Sequence, residues 1–191
     1  MIDFINSIVV LLNFVIIPGL SYGSQLALGA LGVTFVYAVL RFANFAHGEL
    51  MSFGAMITIL FTWFFQSQNI GLGILPTALI ALPFGILATI ILGLLSDKFV
   101  FQYYRSQKSV PVVLAMVSIG VMFVVNAIIR IIVGTETIKF SDGQKFIMKA
   151  KQFKLMTGLN EGLALKSSQV ITILITILLL TFTFWFLQKT K

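Results

Sequence analysis

The chain alternates between long apolar runs and short segments where its charged residues gather. Five runs, 19–40, 48–65, 71–95, 111–133 and 168–187, have the length and near-absence of charge expected of membrane-crossing helices. At a rise of 1.5 Å per residue the run 19–40 reaches roughly 33 Å, enough for a hydrocarbon core of about 30 Å. The run 111–133 is apolar apart from Ser118, Asn126 and Arg130, and 168–187 leaves on Trp185 followed by Lys189 and Lys191, an aromatic-then-basic exit. A sixth segment, 4–17, is apolar but gives only roughly 21 Å of helix. It reads as an interfacial segment or a half-helix that breaks at Pro18-Gly19, and a short or tilted membrane helix is the favoured expectation.

Two of these runs carry rows of small residues. Gly19, Gly23 and Ala27 form one, and Ala81, Gly85, Thr89 and Gly93 the other. Such rows let helix backbones approach closely, which is how bundles pack where lipid supplies little drive. Pro76 is expected in the first turns of its helix and Pro83 inside it, as a kink. Segment 134–167 is different. It holds Lys139, Lys145, Lys149, Lys151, Lys154 and Lys166 with Glu136, Asp142 and Glu161, and Ser141-Asp142-Gly143 is a turn signal. It reads as an extramembrane loop, in which Phe140, Phe146, Ile147, Phe153 and Leu155 anchor short strands or interfacial pieces.

Composition agrees with lipid as the solvent. Apolar residues are 59% of the 191 positions and charged ones 10%, against about 45–50% and about 25% in soluble domains. The expected fold is therefore all-α, a polytopic transmembrane bundle of five to six membrane segments forming one domain over 1–191. There is no cysteine and a single histidine, His47. These numbers exclude disulfides, thiolate sites and metal centres built from several imidazoles. The net charge of +7 is not a nucleic-acid signal, because the lysines and arginines flank apolar runs. Segment 96–109, with Lys98, Arg105 and Lys108 against Asp97, reads as cytoplasmic. The C-terminus then falls on the same side and 134–167 on the other.

The densest polar cluster is Arg41-Phe42-Ala43-Asn44-Phe45-Ala46-His47-Gly48-Glu49, between two apolar runs. Two compatible readings fit it. In one it is a tight interhelical turn: Asn44 and His47 cap the next helix, Arg41 pairs with Glu49, and Gly48 eases the turn. In the other, Asn44, His47 and Glu49 line a solute path or couple it to movement, since ionisable groups near membrane depth are costly. Gln25 and Asn126 lie well inside spans and serve either as interhelical hydrogen bonds or as solute ligands. Tyr22 and Tyr37 read as packing or interface aromatics. Enzymatic constellations are missing. His47-Gly48-Glu49 lacks the second histidine of a zinc protease, and there is no phosphate-binding glycine loop with its lysine. No cofactor and no metal are expected.

The run Gly19-Leu20-Ser21-Tyr22-Gly23-Ser24 to Ala27-Leu28-Gly29-Ala30-Leu31-Gly32, then Val36-Tyr37, then Asn44-Phe45-Ala46-His47-Gly48-Glu49, resembles the permeases of branched-chain amino acid ABC importers. Ser118-Ile119-Gly120, opening a span that runs to Gly134, adds a second match. The resemblance implies an inner-membrane, multi-pass subunit beside a second, related permease, two cytoplasmic ATPase subunits and a periplasmic solute-binding protein. It implies a periplasmic place for 134–167. The solute would be a branched-chain amino acid, an amide or urea, moved by alternating access. Members of that family continue into an ATPase-docking loop and further spans, so the resemblance also implies an N-terminal part of a permease. The alternatives are a gradient-driven channel or secondary carrier, and a non-transporting membrane fragment. Carriers bury acids at the midplane, whereas Glu49 reads as terminal on its helix.

Overall fold

The structure is a computed structural model and describes residues 2–71, 73, 75–134, 140–142 and 145–189. Glu136, Lys139, Gly143 and Lys191, all named above, lie outside the described residues. Among the described residues the chain is all-α apart from one small strand pair. Its elements are α1 (Ile2–Leu11), α2 (Ile17–Leu40), α3 (Ala46–Ser67), α4 (Ala78–Ser96), α5 (Gln102–Ser106), α6 (Pro111–Val133), β1 (Phe146–Met148), α7 (Ala150–Thr157), β2 (Leu165–Lys166) and α8 (Ser167–Lys189). Among the described residues five helical stretches are long and apolar enough to cross a membrane: Phe4–Leu40, Ala46–Ser67, Ala78–Ser106, Pro111–Val133 and Ser167–Lys189.

The first of these corrects the expectation of a break at Pro18-Gly19. Helix α1 continues into α2 through a π-helical turn at Leu12–Ile16, where the Ile17 N–H bonds to the Leu12 carbonyl five residues back. A proline has no N–H and crowds the carbonyl four residues earlier, here Phe14, which lies inside that wider turn. Shifting the bonding register just ahead of Pro18 accommodates the ring without ending the helix. The 4–17 segment is thus the first part of a 37-residue helix.

The third span is displaced in the opposite sense. Gly71, Gly73 and Pro76 keep its expected start non-helical, with Gly73 at φ 71°, and the helix begins at Ala78 after Thr77. Pro76 precedes the helix instead of sitting in its first turns, and α4 runs on through Pro83. At the far end a second π-helical turn, Asp97–Phe101, carries α4 into α5, so most of 96–109 is helix rather than loop. On that extension the exposed Arg105 and Asp97 form an ion pair at 2.6 Å, a surface contact worth about 1 kcal/mol or less. The boundaries of α6 follow from its own residues: Pro111 occupies the first turn, and Gly134, at φ 89°, ends the helix.

The chain divides into two compact units. One comprises Met1–Leu31, Leu72–Pro76 and Asp142–Lys191. Within it β1 and β2 pair antiparallel, Phe146 opposite Lys166 and Met148 opposite Leu165. Asn6 and Asn13 of the first helical stretch accept hydrogen bonds from the Glu161 N–H at 3.4 Å and the Ala164 N–H at 3.2 Å. The second unit comprises Gly32–Gly71 and Thr77–Ser141. Its core gathers Phe42, Ala46, Phe101, Leu114, Val121 and Val125, with Leu50, Phe53, Leu92 and Val117 packed around them.

The second small-residue row does what its spacing predicts in part. Gly85 on α4 faces Gly54 and Thr58 on α3, and a Cβ at Gly85 would collide with the Thr58 hydroxyl and the Gly54 carbonyl. A Cβ at Gly54 would likewise collide with Thr89. Both threonines turn their hydroxyls back onto their own helices, Thr58 to the Gly54 carbonyl and Thr89 to the Gly85 carbonyl, each at 2.8 Å. The seam therefore leaves those polar groups satisfied, and Phe61 stacks on Phe84 nearby at 4.7 Å. Gly93, by contrast, faces open space, as do Gly19 and Gly23; Ala27 is half-buried.

Candidate functional site: a polar turn set against the middle of a helix

The chain leaves α2 at Arg41, whose N–H bonds back to the Tyr37 carbonyl at 2.8 Å and whose φ of 57° is left-handed. That conformation ends a helix as a glycine would, at a cost of about 1–2 kcal/mol for a residue with a Cβ. Asn44 then caps α3: its Oδ1 accepts the Ala46 N–H at 3.1 Å and its carbonyl the His47 N–H at 3.3 Å. The Phe45 N–H bonds at 3.0 Å to the hydroxyl of Ser118 on α6, 73 residues away. The Ser118 hydroxyl in turn donates to the Ala115 carbonyl at 2.7 Å. Ser118 and Ala46 are both fully buried.

This contact fixes where the turn lies along α6. Ser118 is seven residues into α6, about 10 Å from Pro111. Against a hydrocarbon core about 30 Å thick, a turn that far along a crossing helix falls inside the apolar layer. There an unbonded backbone group costs several kcal/mol, so irregular backbone survives only when protein satisfies it. Asn44 and Ser118 supply that satisfaction.

Glu49, in the first turn of α3, accepts a hydrogen bond from Asn126 Nδ2 at 3.0 Å, and Asn126 Oδ1 accepts one from Arg130 Nε at 2.7 Å. Asn126 is thus an amide bridge between a carboxylate and a guanidinium. One expectation is corrected here. Arg41 forms no ion pair with Glu49, because α6 supplies the carboxylate's partner and Arg41 is turned out at the helix end, exposed. Glu49 is terminal on α3, as expected, and lies beside Asn126, about 22 Å along α6 from Pro111.

His47 does not act as a cap. Its Nε2 is buried without a hydrogen-bond partner, and a Cβ on Gly32 of α2 would stand 2.9 Å from it. Gly32 leaves the room that the imidazole occupies. His47 also lines a cavity of about 460 Å³ with Val33, Val36, Tyr37, Asn44 and Phe45. The lining is mostly apolar, with Thr34, Tyr37, Asn44 and His47 as its polar members. Gln25 lies elsewhere, exposed on α2, and Gly48 faces open space. Sequence reading passed over Ser118, Arg130 and Gly32 as site residues; Ser118, a lone hydroxyl in the apolar first half of α6, carried the clearest signal.

Five helical stretches long and apolar enough to cross a membrane define a polytopic membrane protein. The family model described as the branched-chain amino acid transport system permease component matches residues 15–191, and the chain belongs to that family. No curated protein and no solved structure matches it. The chain is accordingly a multi-pass membrane protein of a transport system, a component that works in the bilayer with other subunits.

Proposed function

We propose that the chain is the permease subunit of an ATP-binding cassette importer in the inner membrane. Its partners in this reading are a second permease, two cytoplasmic ATPase subunits and a periplasmic solute-binding protein that approaches from the side of 134–167. The solute is a branched-chain amino acid or a similarly small molecule with a polar end. The family membership supports the class. The observation that carries the site is the unpartnered His47 Nε2 at the edge of the apolar cavity. A buried polar atom left without a partner is costly. A solute placing its apolar side chain against Val33, Val36 and Phe45 and its polar end toward Asn44 and His47 removes that cost once the imidazole turns its Nε2 into the cavity.

Replacing His47 by Ala removes the hydrogen bond without closing the cavity. Uptake into vesicles holding the assembled importer is expected to need about tenfold to a hundredfold more solute for half-maximal rate, the worth of one hydrogen bond to a charged group. His47→Gln, which keeps a polar end of similar reach, recovers part of the loss. Unchanged concentration dependence in both variants removes His47 from the solute path.

One observation favours a second reading. Glu49 beside the middle of α6 is an acid at the depth where ion-coupled carriers place theirs. Uptake that requires the ATPase subunits and ATP supports the importer; uptake driven by an ion gradient alone establishes the carrier.

A further inference from the structure

Helix α7 and its flanks lie outside the transport site and carry a pattern that transport does not use. Leu155 is 78% exposed and Met156 81%, on a helix that is not one of the stretches long and apolar enough to cross a membrane. At about 100° per residue, the two bracket Gln152 on one side of α7, with Lys151 on one flank of that sector; Lys149 is the extended residue just before the helix. Ala150, on the far side, and Phe153 are half-buried, and Lys154 beside Ala150 is exposed. Helix α7 thus leaves Leu155 and Met156 outward as a short ridge with lysines around them.

The position of that ridge is constrained. Gly162 packs so closely on Ala150 that a Cβ there would collide with the Ala150 carbonyl. Strand β1 pairs with β2, whose Lys166 directly precedes the first residue of α8, and the Ser167 N–H bonds to the Lys145 carbonyl at 2.9 Å. Asn6 and Asn13 hold 161–164 alongside the first apolar helix. Helix α7 is therefore tethered to the ends of two membrane-crossing segments, within reach of the bilayer surface. Phe146 and Ile147 of β1 are exposed as well, and Lys151 and Lys154 are exposed on α7 itself.

We infer that α7 is an interfacial anchor: Leu155 and Met156 enter the headgroup–acyl boundary while Lys149, Lys151 and Lys154 bind anionic phospholipid headgroups. An apolar ridge flanked by long basic side chains is the arrangement such helices use, the stems lying along the apolar layer and the ammonium groups reaching the phosphates. Charge complementarity selects the occupant, because the described residues of 145–166 carry five lysines against Glu161 alone. This inference stands apart from the transport reading and survives its failure.

The chain has no cysteine, so Met156→Cys gives a unique site for an environment-sensitive fluorophore. The labelled protein is placed in vesicles of phosphatidylcholine, with or without phosphatidylglycerol. The expected result is a blue shift of emission with phosphatidylglycerol, reversed by the double substitution Lys151→Glu and Lys154→Glu. Leu155→Ser is expected to weaken the shift while leaving the membrane helices untouched. Aqueous emission in both lipids overturns the proposal. An equal blue shift in both overturns the headgroup selectivity. Aqueous emission that turns blue only when a solute-binding protein is added assigns the ridge to that protein and overturns the lipid reading.

Discussion

Gly85→Val is expected to be among the most damaging single substitutions in the chain. The new side chain meets the Thr58 hydroxyl and the Gly54 carbonyl, and a backbone carbonyl cannot swing aside as a flexible side chain can. Helices α3 and α4 must separate along the seam that also holds Thr89 against Gly54 and Phe61 against Phe84. Overpacking of this kind costs about 1–3 kcal/mol and occasionally more, and in lipid close packing is most of what holds the pair together. Thermal unfolding in detergent micelles checks it: a clear drop in Tm for Gly85→Val is expected beside little change for Gly93→Val, since Gly93 faces open space. Equal effects at the two positions would show that the seam is not close-packed.

Ser118→Ala is the second. The replacement is slightly smaller and removes the acceptor of the Phe45 N–H, which then has no partner beside the fully buried position 118. An orphaned buried donor costs about 1–3 kcal/mol by protein mutagenesis, and more where no water can reach. The loss falls on the α2–α3 turn. Amide exchange at Phe45 and Ala46 is therefore expected to speed up by about tenfold or more, at a cost of 1.4 kcal/mol per factor of ten. Ser118→Cys, a weaker acceptor, falls between. Exchange unchanged in Ser118→Ala would mean that the turn is satisfied from elsewhere.

How much of this was legible beforehand depended on the range of the interactions. Charge-free length identifies the membrane helices whatever they pack against, so all five crossing stretches were readable from hydropathy. Helix ends were readable where a local residue sets them, as Pro111 and Gly134 do for α6. Pro18 misled because the outcome depends on backbone register: a π-helical turn upstream lets the helix pass, and nothing in residues 12–16 announces one. Residues 71–77 misled in the other direction, since apolar content hid the break made by two glycines and Pro76.

The polar cluster was easy to find and hard to place. Arg41, Asn44, His47 and Glu49 between two apolar runs look like a surface turn with an internal ion pair. Ser118 and Asn126, remote in sequence, draw the turn inward and take the partners that Arg41 and water would have had. The buried, unpartnered Nε2 of His47 could not be inferred either, because it depends on Gly32 leaving room in the neighbouring helix.

The account stands on a chain reversal located within the apolar layer, and fluorescence quenching by lipid-borne probes measures its depth. One fluorophore is attached at Ala43→Cys in the turn and another at Lys108→Cys, just before α6, in separate samples of the reconstituted protein. The label at position 43 should be quenched most by probes on the acyl chains, and that at position 108 by probes at the headgroups. Headgroup probes quenching both labels alike would place the turn at the surface and contradict the proposed site.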